Sequence, residues 1–221
     1  MEQRGLRDLL SALFVTALVV SNIIAVKIGD FAGVYLPVAV VIFPLSYILG
    51  DIITEVYGFA AMRRVIWTGF LCNLLAVIAI TIGREIPAAP FFDGQAAYAQ
   101  ILGFTPRLLV ASFIAYLAGG FSNSAILSML KVKTKGRHLW LRTISSTVVG
   151  EGIDSLIFIT LAFGGLMPGA QIVSLIIAQW LFKVGVEVLA TPLTYTVIAA
   201  IKRHEGIDVF DKAMRFNPFR F

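Results

Sequence analysis

Cysteine and histidine are nearly missing from this 221-residue chain, which has one Cys, Cys72, and two His, His138 and His204. A lone cysteine in an apolar run forms no intrachain disulfide, and so small a set makes no Cys/His metal-ligand cluster. Charge is scarce as well: 14% of residues are Asp, Glu, Lys or Arg, where a soluble domain carries roughly 25%. No G-x-x-x-x-G-K-[ST] string is present, so the chain is not itself a P-loop ATPase. HExxH is also missing, and nothing in the pattern implies a cofactor.

What is present is apolar. Hydrophobic residues make up 58% of the chain, and the mean hydropathy is +0.89. A bilayer core needs about 20 apolar residues per helix. The sequence supplies six such runs, near 9–28, 34–58, 65–82, 108–130, 139–166 and 171–201, followed by a tail at 202–221. The first follows Arg4 and Arg7 as a signal peptide would, but it is long enough to span and lacks a clear small-x-small cleavage site, so it reads as a helix. The expected fold class is all-α: a polytopic membrane protein whose residues 1–221 form one six-transmembrane-helix bundle.

Orientation follows from the basic residues. Arg4, Arg7, Arg63, Arg64, Lys131, Lys133, Lys135, Arg137, Arg142, Lys202, Arg203, Lys212, Arg215 and Arg220 fall on one side, and only Lys27, Arg84 and Arg107 on the other. Both termini are therefore expected in the cytoplasm. The net charge of +5 reads as topology at the lipid bilayer, not as a nucleic-acid interface. The Arg84–Arg107 connection, with Phe91, Phe92 and a helix-compatible piece near 96–102, suits either a lid or an interfacial anchor. The tail from Lys202 reads as a short amphipathic end at the inner surface.

Six ionisable residues interrupt the apolar runs: Asp51 and Glu55 in the second, Glu151 and Asp154 in the fifth, Lys183 and Glu187 in the sixth. Each charge at the bilayer centre costs roughly 3 kcal/mol, so they must face inward or one another. Spacings of three and four put Asp51/Glu55, Glu151/Asp154/Ser155 and Gln179/Lys183/Glu187/Thr191 each on one helix face. Lys183 is expected to pair with Glu187 or across the bundle. One base does not balance five acids, so the surplus calls for protons, a cation or a donor-rich ligand. Glu55 lies nearer the inner surface, where pairing with Arg142 or Arg63 suits it. Lys27, Glu55 and Glu187 are the candidates for a gate or ion pair. Asn22, in an unusually polar SN…K cluster, and Tyr47, one turn before Asp51, join the candidate binding set. The matching strings at 50–55 and 150–155 suit an inverted repeat of three helices each. An intramembrane aspartyl protease fits poorly, because Asp154 falls one residue late for GxGD and Asp51 follows Gly50 instead of Tyr. A scaffold or lipid-binding bundle would leave the acidic surplus unassigned.

The runs SNIIAVK at 21–27, FPLSYILGDIITEVYGF at 43–59, RHLWLRTISS and GIDSLIF at 152–158 together resemble the queuosine precursor transporter family, also described as vitamin-uptake-like. The resemblance spans nearly the whole chain and is most specific in the acidic second string. It implies a six-helix importer of the bacterial inner membrane, related in architecture to substrate-binding subunits of energy-coupling-factor transporters. It also implies 7-deazaguanine substrates, the cyano and aminomethyl precursors of queuine, with another planar vitamin or nucleobase as the alternative. A deazaguanine offers N1–H and an exocyclic amine side by side to a carboxylate, and O6 to a donor. Glu151, Asp154 and Asp51 are then the expected acceptors, Asn22, Gln179 and Lys183 the expected donors, and Tyr47 or Phe158 the stacking partners. A separate energising module and a homo-oligomer both stay open as partners.

Overall fold

The computed structural model describes residues 3–31, 34–103, 106–212 and 216–219. Its helices are α1 (Gln3–Ile24), α2 (Phe43–Tyr57), α3 (Phe59–Glu85), α4 (Gln95–Leu102), α5 (Pro106–Lys133), α6 (Leu139–Phe163) and α7 (Gly169–Glu205). Strands β1 (Ile28–Phe31) and β2 (Val34–Pro37) pair antiparallel between α1 and α2, and a 3-10 turn over Val38–Val41 follows. The chain is an all-α polytopic membrane protein, in which five helices, α1, α3, α5, α6 and α7, are long and apolar enough to cross a bilayer.

The second expected span, 34–58, needs correcting. Its first part is strand and 3-10 turn, and α2 has only 15 residues, a length of about 22 Å against a hydrocarbon core of about 30 Å. The apolar run VYLPVAVV suits a strand as well as a helix. Pro37 has no N–H to extend a helix, and Pro44 sits within the first two positions of α2, where that loss costs nothing. The N–H of Val38 donates to the Lys27 carbonyl at 2.8 Å, which ties the hairpin's two ends together.

Polarity is inverted relative to a soluble fold. Leu189 is 82% exposed and Leu75 67%, whereas Ser21, Thr143, Ser146 and Thr194 are fully buried. Large apolar side chains outside and small hydroxyls inside are what a lipid solvent selects. The apolar core is local: Phe14 and Leu18 of α1 meet Ile52, Ile53 and Val56 of α2 and Met62 and Ile66 of α3.

Gly58 turns α2 sharply into α3. Its φ of +83° belongs to glycine, and a Cβ there would stand 2.8 Å from Val209. That neighbour belongs to the tail, expected from its sequence to be a short amphipathic end at the inner surface and found packed against α2 and α3. α7 runs on to Glu205, Gly206 breaks it at φ +66°, and the chain then passes under the bundle as an extended strap. The strap's Val209 N–H donates to the Val56 carbonyl at 3.0 Å, and Asp211 accepts from the Phe59 N–H at 2.9 Å, capping α3. Further along, Arg63 donates to the Asn217 carbonyl and the Trp67 indole to the Pro218 carbonyl. Backbone donors at a helix start need such partners, and here a remote segment supplies one.

Candidate functional site

The polar core is built by helices that touch at their backbones. A Cβ on Gly150 of α6 would fall 2.6 Å from the Asn123 Cβ of α5, and one on Gly119 would fall 2.8 Å from the Asp154 Cβ. Gly152 lies under the Trp180 ring of α7, whose indole N–H donates to the Val148 carbonyl at 2.8 Å. Glycines at these crossings let α5, α6 and α7 close together. The carboxylates of α6 are thereby brought to α7.

At the upper level of this core Lys183 bridges two acids. Its ammonium lies 2.8 Å from Glu151 Oε2 and also donates to Asp154 Oδ2. Two rings of α2 cover it, with the Phe43 centroid 5.4 Å and the Tyr47 centroid 5.7 Å from Nζ. Those rings contact each other at 5.0 Å. The buried Tyr47 hydroxyl faces the Glu151 carboxylate.

One turn further along α2 and α7 stand Asp51 and Glu187, fully buried and 2% exposed respectively. Asp51 Oδ1 accepts from the Asn123 amide at 2.8 Å, but Asp51 Oδ2 has no partner. Glu187 Oε1 has none either, and the two carboxylates stand close enough to repel. Lys183 is committed to α6, so the pairing with Glu187 suggested by their four-residue spacing does not form. The crossing geometry decides this, because Gly152 and Gly150 admit α7 and α5 so closely that the α6 acids meet Lys183 directly.

Glu55 forms a third level at the end of the bundle where α2 turns into α3. Its Oε1 accepts from Arg142 and from Lys202, each at 2.7 Å, and Lys131 lies 3.6 Å away. Asp208 of the strap joins them, pairing with Lys131 and, at 2.8 Å, with Lys202. Burial pushes the Asp208 carboxyl up, but hydrogen bonds from Lys131 and Lys202 outweigh it and hold it below the usual carboxylate range. Glu55 is therefore matched by its own cations, of which Arg142 was anticipated and Arg63 was not involved. The acidic surplus shrinks to Asp51, Glu151, Asp154 and Glu187 against Lys183.

Of the remaining sequence candidates, Gln179 and Phe158 stand one turn from Lys183 and Asp154 on α7 and α6, and Asn22 and Lys27 make no hydrogen bond or ion pair with this core among the described residues. Asn22 donates to Asn73 of α3 at 2.8 Å. Gln179 is half-buried on α7 one turn before Lys183, and the Lys27 side chain is exposed beyond the end of α1. Phe158 packs on Phe163 at 6.3 Å. Sequence reasoning passed over Asn123, Phe43, Lys131, Lys202 and Asp208 as site residues. Asn123 alone carried a signal, as the one amide in the fourth span, but beside Ser122 and Ser124 it reads as a packing group between helices.

Long apolar helices surround a buried core of ion pairs and carboxylates, the arrangement of a multi-pass membrane protein with a polar interior, and the family match makes it a transporter. The chain belongs to the family described as "Putative vitamin uptake transporter", whose model matches residues 37–197. It is 28% identical over 192 residues to the "Probable queuosine precursor transporter" of Bacillus subtilis (strain 168), covering 86% of this chain and 83% of that protein. It is 27% identical over 121 residues to the "Queuosine precursor transporter" of Escherichia coli (strain K12), covering 55% and 52%. No solved structure matches this chain. These matches bear out the resemblance read from the sequence, and the family is one of transporters, not enzymes.

Proposed function

We propose that this protein imports 7-deazaguanine precursors of queuosine across the bacterial inner membrane, with both termini cytoplasmic and α2 serving as a short sixth membrane segment. The observation that carries the reading is the Lys183 bridge to Glu151 and Asp154 beneath the Phe43 and Tyr47 rings. Paired acceptors, a donor and two aromatic faces form the complement of a flat base with adjacent N–H donors and a carbonyl. Glu151, Asp154 and Asp51 supply acceptors for the base edge, and Lys183, with Gln179 nearby, supplies donors to O6. Because the ion pairs close the core on itself, the substrate must exchange its own hydrogen bonds for theirs.

The chain has no P-loop, so uptake is facilitated, ion-coupled, or powered by a separate module. The test is uptake into vesicles, together with substrate-dependent thermal stabilisation, for Asp51→Ala, Glu151→Ala and Asp154→Ala. Loss of both in these variants supports the site, whereas full transport by all three rejects it.

A further inference from the structure

The Lys183 ammonium sits between two carboxylates and under two aromatic rings. That arrangement is an ammonium-binding cage, chemically indifferent to whether the cation belongs to the chain or to a ligand. One turn further along α7, Glu187 is buried with an unpartnered oxygen, at the four-residue spacing that a lysine side chain reaches on its own helix. The core thus holds two acidic seats and one ammonium. Asp51 stands beside the second seat, with Oδ2 also unpartnered. At the level of Gly50, next to Asp51, the nearest side chains are the apolar Phe14 of α1 and Met62 of α3, and among the described residues no ion pair reaches Asp51 or Glu187.

We propose that Lys183 is a tethered occupant of the cage, that a ligand bearing a primary ammonium displaces it, and that the displaced Lys183 moves to Glu187. This rests on the transport reading above and goes beyond it by naming the preferred ligand charge and the residue that moves. For this ligand the roles given above shift and charge pairing is conserved: the ligand cation takes Glu151 and Asp154, Lys183 takes Glu187 instead of donating to O6, and Asp51 alone receives the base-edge donors. A neutral ligand has nothing to offer the cage in place of Lys183, so it leaves the lysine where it stands. The switch therefore selects for the aminomethyl base over the cyano base.

The experiment measures binding of both deazaguanines to purified full-length protein, wild type and variants, by calorimetry. The expected result is aminomethyl binding about tenfold tighter than cyano in the wild type. Lys183→Met, which removes the resident cation, is expected to tighten the aminomethyl base further and to weaken the cyano base, which keeps Lys183 as its donor to O6. Glu187→Gln removes the second seat and is expected to weaken the aminomethyl base several-fold. In the Lys183→Met background the same change is expected to have no effect, because no lysine remains to be rehoused. If Lys183→Met does not fold, wild-type charge preference and Glu187→Gln decide on their own. Equal binding of the two bases, with Glu187→Gln silent, overturns the switch while leaving the transporter intact. If neither base binds, methylammonium replaces them as the probe. Stabilisation by methylammonium that Glu187→Gln weakens then supports the cage while the substrate reading fails, and no stabilisation overturns both.

Discussion

Neutralising Glu55 tests the clamp at the α2–α3 end most directly. Glu55 is fully buried, and its Oε1 serves Arg142 and Lys202 at 2.7 Å with Lys131 at 3.6 Å. Glu55→Gln keeps the shape but removes the charge that these cations share. Removing one partner of a buried ion pair costs about 3–5 kcal/mol. All three cations keep other acceptors: Lys131 donates to the Glu55 and Val209 carbonyls and pairs with Asp208, Lys202 pairs with Asp208 at 2.8 Å, and Arg142 donates to the Arg137 carbonyl. The expected cost is therefore at the lower end, about 3 kcal/mol. For a chain of this size that corresponds to a fall in Tm of about 6–12 °C. The assay is thermal unfolding in one detergent followed by intrinsic fluorescence, with Glu187→Gln as control. Glu187 has a buried oxygen without a partner, so its neutralisation should leave Tm unchanged or raise it. Equal losses in the two variants, or a Glu55→Gln loss under about 2 °C, would refute the clamp.

Other expectations follow from the same geometry. Gly58→Ala meets both a positive φ and Val209 at 2.8 Å, so about 1–3 kcal/mol should be lost; Val209→Ala should recover only the steric part in a thermal-unfolding cycle. Gly150→Ala, facing Asn123 at 2.6 Å, should push α5 from α6 and abolish substrate binding while membrane insertion, read by yield of monodisperse protein, persists. Asp208 has its carboxyl held low by Lys131 and Lys202, so its contribution is fully present above the ordinary aspartate range and lost as pH falls through the lower folded-state value. Limited proteolysis of the tail on acidification should accordingly speed up in the parent, while Asp208→Asn is cut at the faster rate already at neutral pH.

How much of this was legible in the sequence differs between elements for physical reasons. Hydropathy located α1, α3, α5, α6 and α7, since a bilayer demands long apolar runs and little else satisfies it. It failed at 34–42, where an apolar, β-branched stretch has no periodicity to separate strand from helix. The carboxylates of the core were visible because each interrupts an apolar run. Their partners were legible only in part: Arg142 was anticipated for Glu55, but for Lys183 the sequence left Glu187 and a partner across the bundle both open, and only the glycine crossings of α5, α6 and α7 show that it pairs with Glu151 and Asp154. Lys131, Arg142 and Lys202 lie at helix ends, where counting by side assigns them to solvent, yet the first two are almost fully buried. Asp208 and the strap carried no periodic signal at all.

The strap also bears on the order in which the molecule is completed. Glu55 belongs to the first quarter of the chain to be synthesised, and Lys202, Asp208 and Val209 belong to the last tenth. During translation Glu55 is therefore made before Lys131, Arg142, Lys202 and Asp208, and α3 begins with the Phe59 N–H uncapped. Lys202 reaches Glu55, Asp208 reaches Lys131 and Asp211 reaches the Phe59 N–H only after α7 has been made. A segment that follows α7 thus closes the end of the bundle where α2 turns into α3, and a chain cut off before Lys202 would leave Glu55 with Arg142 and Lys131 alone.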